Sequence, residues 1–270
     1  MPVTAIINLR ALTRGKIPRS FHCLMHPVFL DRISKTDEKM GKTLHDAGIM
    51  PPFSISPVMN IEQQIVENKS YWVRIGILSE ELEETFFLSM EKGIWREPIQ
   101  LEKYFFEVEE IVWGNSDGFP WCGRDSYPEM IRNSLACRKI SLFIASPMSF
   151  KKGDLHYPLP EPVLLFRNLL RRWNQFSEIR LPDDYDFGDV SFAHFDLQTR
   201  PFALRKGGTV LGSTGKLTFI FQNETSQLCH ALLQFALYAG IGVKTTQGMG
   251  MCRIVSGRQL WNQQINPRNQ

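Results

Sequence analysis

A chain of 270 residues is long enough for one large or two small domains, and an apolar share of 43% can fill well-buried cores. The formal net charge of +3 permits an anionic partner without requiring one, and the cations cluster in the second half, at Lys151-Lys152, Arg171-Arg172, Arg205-Lys206 and Lys244. Five cysteines without a Cys-x-x-Cys pair indicate neither a disulfide framework nor a cysteine zinc site, and no apolar run approaches ~18 residues; the expectation is a soluble, cytoplasmic protein without membrane contact.

Residues Val3 to Leu9 are short and β-rich and predict a first strand. From Ser20 to Ile33 apolar residues recur at three- and four-residue intervals, which predicts a helix that Pro27 kinks or restarts. A second helical piece runs from Thr36, as N-cap, to Ala47, with Gly48 as its stop and His45 in its last turn. Strands are predicted at Phe53 to Met59 and Tyr71 to Leu78, then a helix capped by Ser79 and ending before Gly93. A strand or hairpin from Ile99 to Val112 completes the order β-α-β-β-α-β, that of a ferredoxin-like or RNA-recognition-motif fold. The stretch Gly114 to Glu129, rich in turn residues, reads as an inter-domain loop and sets the N-terminal domain at 1–125.

The second half predicts a strand at Lys139 to Ala145, a Pro-rich approach at His156 to Pro162 and an amphipathic helix at Val163 to Phe176. Strands follow at Val190 to Thr199 and Lys216 to Gln222, with a short extended piece at Phe202 to Leu204. A helix from Glu224 to Ala239 and a strand at Met251 to Val255 close the series. If the short piece belongs to the connecting hairpin, the order is again β-α-β-β-α-β. The fold class is therefore α+β, two tandem ferredoxin-like domains at 1–125 and 126–260, with a polar tail at 261–270 expected to be disordered. The aromatic sheet signature of an RNA-recognition motif is absent from both halves, so Tyr104, Phe105, Phe106 and Trp113 are assigned to the core.

Between the last helix and the last strand lies Gly240-Ile241-Gly242-Val243-Lys244-Thr245-Thr246-Gln247-Gly248-Met249-Gly250, with four glycines in eleven positions. Glycine reaches positive φ without a Cβ clash, so successive N–H groups can turn toward one anion. Lys244, Thr245 and Thr246 add a charge and two hydroxyls. No Gly-Lys-Ser/Thr ends the loop and no strand precedes it, so it is neither a Walker loop nor a dinucleotide fingerprint, and no cofactor is expected. A tight turn before a last strand is the plainer alternative.

With the loop placed after the last helix of a second ferredoxin-like domain, the chain resembles the repeat-processing endoribonucleases of CRISPR systems, in the RAMP superfamily. Gly240-Ile241-Gly242 and Gly248-Met249-Gly250, five residues apart, match the family's glycine loop. Leu44-His45-Asp46 with Pro52-Phe53-Ser54-Ile55-Ser56-Pro57 is similar to its histidine-bearing helix end and following strand. Ser146-Pro147-Met148-Ser149-Phe150, Tyr157 to Pro162 and Leu169 to Asn174 resemble its central segment, and Leu211 to Lys216 its late hairpin.

The resemblance implies a metal-independent cut in CRISPR repeat RNA, with the substrate's 2′-hydroxyl attacking the adjacent phosphate to leave 2′,3′-cyclic phosphate and 5′-hydroxyl ends. His45 is the candidate for proton transfer, since imidazole titrates near neutrality. A surface histidine at a helix C-terminus is the alternative. Relatives pair such a histidine with a lysine; none lies between His45 and Pro57, and Lys42, three residues before His45, is preferred to Lys39 as the assisting cation. His22 and His26, at i and i+4, lack the Glu of a zinc hydrolase; they are partly buried, or one of them faces RNA as a second acid/base.

For RNA binding the candidates are Gly240, Gly242, Lys244, Thr245, Gln247, Gly248 and Gly250 on the loop, Arg205 and Lys206 before Gly207-Gly208, and Arg171-Arg172 on the central helix. The hairpin from Arg200 to Lys216 is placed against a repeat stem. Partners are repeat RNA and other CRISPR effector subunits, and the protein is a monomer or homodimer. The rival reading is a non-catalytic RNA-binding subunit of a CRISPR effector complex; a third is a two-domain scaffold for protein partners.

Overall fold

The computed structural model describes residues 1–255 apart from 47, 49, 117, 223 and 224. The predicted helix ends at Ala47 and Glu224 and the polar tail at 261–270 lie outside the described residues. The N-terminal half comprises β1 (Val3–Ala11), β2 (Gly15–Lys16), α1 (Met25–Thr36), α2 (Glu38–His45), β3 (Phe53–Ile55), β4 (Gln64–Ile65), β5 (Ser70–Ile77), α3 (Glu80–Glu91), β6 (Ile99–Leu101) and β7 (Tyr104–Trp113). Next come α4 (Tyr127–Arg132), β8 (Lys139–Met148), β9 (Phe150–Lys152), β10 (Leu155–Tyr157) and α5 (Pro162–Phe176). The series ends with β11 (Val190–Ala203), β12 (Thr209–Phe221), α6 (Thr225–Ala239) and β13 (Cys252–Val255).

Local chemistry sets most of these bounds. Pro27 is the third residue of α1, inside the first turn, where its missing N–H is not needed, so it neither kinks nor interrupts the helix. The N-cap of α2 is Asp37, whose carboxylate accepts from the Met40 N–H at 3.0 Å. Thr36, the predicted cap, instead finishes α1 with its hydroxyl on the Arg32 carbonyl. Gly93 takes φ 70° just after α3, and Glu102 takes φ 56° in the turn between β6 and β7. The piece Phe202 to Leu204 lengthens β11 to Ala203, and β12 begins at Thr209, seven residues before Lys216, so the late-hairpin motif lies within a strand. The turn between them uses Gly207 and Gly208, both at positive φ.

Each half folds into a sheet with the same permutation. The first runs β3-β5-β1-β7-β6 and the second β11-β12-β8-β13, with every neighbouring pair antiparallel. Taking the strands of each unit in chain order, both sheets read second-third-first-fourth, the ferredoxin-like arrangement, which occurs twice. Alternation explains a departure among the aromatics: Tyr104 and Phe106 are buried while Phe105, between them, is 40% exposed, so Phe105 is not a core residue.

The two units meet around the C-terminal end of α6. Helix-end carbonyls have no partner within their own helix. Arg74 of β5 donates to the Leu237 carbonyl, the Ser54 hydroxyl of β3 to Tyr238 at 2.6 Å, and Arg172 of α5 to Ala239. Both guanidiniums are buried, and burial pushes each down to about 10, still above neutral pH. Gly76 is required here, because a Cβ would lie 2.0 Å from the Tyr238 carbonyl oxygen.

Beyond α6 the two glycine triplets lie against each other. The Ile241 N–H donates to the Gly250 carbonyl at 2.9 Å. A Cβ on Gly250, at φ 74°, would sit 2.0 Å from the Ile241 oxygen, and one on Gly242 2.2 Å from the Ser149 oxygen. Gly250→Ala is therefore expected to cost on the order of 1–3 kcal/mol through backbone strain. Arg74→Met leaves the Leu237 carbonyl without its donor and is expected to cost about 1–3 kcal/mol. Urea unfolding of both variants checks these values; a midpoint equal to that of the unaltered protein would refute either.

Candidate active site

His45 is the last residue of α2 and is exposed. Leu44 anchors that helix end in the core, and Gly41 lets α2 approach α1, since a Cβ would meet the Ser34 hydroxyl at 2.1 Å. His26, in the first turn of α1, is half-buried and stacks on Phe53 with ring centroids 5.9 Å apart and planes at 22°. Its Nδ1 lies 3.0 Å from the Thr246 carbonyl oxygen in the glycine loop. A carbonyl can only accept, so Nδ1 carries a proton and, in the neutral ring, Nε2 holds the lone pair. Burial lowers the His26 pKa, and the positive charges of His45 and Arg205 act in the same direction, against the Thr246 carbonyl. His26, His45 and Arg205 therefore share one electrostatic neighbourhood at the glycine loop.

The hairpin enters this neighbourhood from its turn. Arg205 and Lys206 are exposed there, and the Cys23 thiol, just before α1, donates to the Ala203 carbonyl at 3.3 Å. Lys244 is held at φ 55° within electrostatic reach of Cys23. Gly248, at φ 106°, brings the loop against α1's approach, where a Cβ would be 2.8 Å from the His22 oxygen. Lys244 and Gln247 are partly exposed and can face a ligand.

Several other candidates are turned inward. Arg172 is 5% exposed, and besides Ala239 it donates to the Thr245 hydroxyl at 2.7 Å, so both side chains brace the loop from beneath and neither is a surface contact for RNA. Arg171, on the opposite side of α5, is exposed. The Gly240, Gly242 and Gly250 amides donate to Ala236, the Asn168 side chain and Pro147 respectively. These glycines therefore serve close packing, and their amides do not form an anion nest. Lys42 is ion-paired with Glu38 at 2.6 Å on the exposed face of α2, one turn away from His45. Exposed pairs of this kind are worth under about 1 kcal/mol.

His22 parts company with His26 despite the four-residue spacing, because it belongs to a 3-10 turn before α1. It faces a cavity of about 670 Å³ between the two sheets, lined also by Trp72, Arg200 and Phe202. That cavity touches neither His26 nor His45. Its polar wall includes His22 Nδ1 and Trp72 Nε1, which have no hydrogen-bond partner among the described residues. Nothing in the spacing of Phe53 or Phe202 marked them as neighbours of histidines. Among the described residues no three His, Cys, Asp or Glu side chains gather as a metal site, and no helix is long and apolar enough to cross a membrane.

Residues 142–252 match the family model described as CRISPR-associated endoribonuclease Cas6. A CRISPR-associated endoribonuclease Cas6 of Mycobacterium tuberculosis is 29% identical over 123 residues, covering 43% of this chain and 39% of the relative. One from Streptococcus thermophilus is 26% identical over 135 residues, covering 47% and 55%. The matched segments thus span about half or less of these curated relatives. Over the full fold the likeness is broader: a Cas6 product complex superposes with a TM-score of 0.80 at 20% identity, covering 94% of this chain and 99% of the other. A Thermus thermophilus Cas6 gives 0.74 at 20% identity, covering 94% and 98%. The matching family model, the curated relatives and the shared tandem fold agree, and the chain belongs to the CRISPR-associated repeat-processing endoribonuclease family.

Proposed function

We propose that the chain is a metal-independent endoribonuclease that cuts CRISPR repeat RNA in precursor transcripts to release guide RNAs. The observation that carries this reading is the meeting of His26, His45 and Arg205 at the glycine loop, two imidazoles beside a cation. His26 Nε2, fixed as acceptor by the Thr246 carbonyl, takes the proton of the 2′-hydroxyl as its oxygen attacks phosphorus. The phosphorus–O5′ bond breaks, and protonated His45 supplies the proton to the departing 5′ oxygen. The products are a 2′,3′-cyclic phosphate and a 5′-hydroxyl, and the proton count balances.

Arg205 and Lys244 stabilise the negative charge of the phosphorane, while the loop and α2 hold the strand for in-line attack. Lys42, released from Glu38, is the reserve cation for the same charge. Lys206, Gln247 and Arg171 extend the surface for the RNA backbone. The reading divides the labour, with the histidines from the N-terminal unit and the loop from the C-terminal one. The RNA product is a ligand that other CRISPR effector subunits would bind in the cytoplasm.

The deciding experiment is cleavage of an end-labelled repeat RNA from the source organism in EDTA, by the unaltered protein, His45→Ala and His26→Ala, with a 2′-deoxy residue at the scissile position as control. A single cut that survives EDTA, falls about 10²- to 10⁴-fold in each variant and vanishes on the deoxy RNA is the expected result. Binding without any cut would make the protein a non-catalytic RNA-binding subunit, and full activity of both variants would remove the histidine mechanism.

The same ring carries a stability signature. The folded-state pKa of His26 is depressed by burial below its unfolded value, so the unfolded chain binds more protons as pH falls through ~6.5. Unfolding free energy is thus expected to decrease as pH drops below that value, and His26→Gln to flatten the decrease. Urea titrations at stepped pH measure it; an unchanged slope in His26→Gln would contradict the assignment.

A further inference from the structure

The hairpin β9–β10 sets His156 directly across from Lys151. Two groups that can both be positive are unfavourable neighbours across an antiparallel pair. The hairpin is docked on the glycine loop: the Val243 N–H donates at 2.8 Å to the carbonyl of Ser149, the residue before β9. On the other side of that contact the Gly242 N–H is tied to Asn168 of α5 at 2.9 Å. This docking brings Lys244, fixed at φ 55°, within electrostatic reach of His156.

The neighbouring charges that act on His156 come from Lys151 and Lys244, and both are positive. The nearby carboxylate of Glu161 is engaged elsewhere, with Tyr157 at 2.5 Å and Lys152 at 3.5 Å. Asp154 lies at the hairpin turn, and among the described residues neither Lys151 nor Lys244 is ion-paired with a carboxylate. Two further polar atoms here, the hydroxyl of fully buried Ser149 and His156 Nδ1, have no hydrogen-bond partner among the described residues. With Nδ1 shut off from solvent, Nε2 is the ring atom left to meet a ligand.

We propose that Lys151, His156 and Lys244 form a phosphodiester-binding subsite for the RNA strand, separate from the His26–His45 pair. The subsite rests on the RNA-cleaving reading above and extends it: a strand held by Lys244 in the glycine loop would continue onto the β9–β10 hairpin. A phosphate there joins the three cationic groups that the fold places together without a counter-charge. An acidic protein segment is disfavoured, because the groups lie on a path continuous with the loop.

The test is the affinity for the source organism's repeat RNA across a salt series, with the full chain. Lys151→Met is expected to weaken binding several-fold and to lower the slope of log K against log salt by about one, as for the loss of one phosphate contact. His156→Ala is expected to weaken binding, and Lys151→Arg to restore the slope, which separates a lost charge from misfolding. Lys152→Met, whose lysine is already paired with Glu161, should leave the slope unchanged. If Lys151→Met and His156→Ala bind like the unaltered protein while that protein still binds and cuts the RNA, the subsite is overturned and the enzyme reading stands. If the unaltered protein does not bind the RNA, both fall.

Discussion

The last carbonyls of α6 are the junction on which the molecule depends. A helix end buried between two units would be costly, since its carbonyls have no partners of their own. Here Arg74, Ser54 and Arg172 provide them, two residues from the N-terminal unit and one from the C-terminal. A buried guanidinium is tolerated only where acceptors meet it, and the negative end of a helix is a favourable place for one. Each side of the junction therefore satisfies the other, and neither unit would keep its groups paired alone.

The position of the glycine loop follows from that junction. Arg172 holds Ala239 at the end of α6 and Thr245 within the loop, so the loop is fixed to the same anchor as the units themselves. The glycines matter because backbone meets backbone: Gly250 against Ile241, Gly242 against Ser149, Gly248 against His22. A loop so tightly seated presents side chains to a ligand, chiefly Lys244 and Gln247, and keeps most of its amides for itself. Histidine and loop also come from different units, with the His26–Thr246 contact spanning 220 residues of sequence.

Much of this was legible in the sequence. Periodicity and turn residues located nearly every helix and strand, because amphipathic spacing and glycine or proline stops act over a few residues. The repeated order β-α-β-β-α-β carried the sheet permutation with it. The glycine spacing marked the loop, and His45 could be set at a helix end from its own neighbourhood. The misses share a cause: Thr36 yielded its cap to Asp37, and β12 began seven residues early, because competing local signals are settled by which partner packs best.

What the chain by itself determined was the kind and order of its elements, the presence of a tight glycine-rich turn, and the identities of the imidazoles and cations able to serve a phosphate. Only the tertiary structure decided which of them share a site. It turned Arg172 and Thr245 inward, paired Lys42 with Glu38, and separated His22 from His26 by ending a 3-10 turn between them. The reason is that burial and partnership depend on residues far away in sequence, and side chains of one type read alike until the packing of the other unit fixes which way they face.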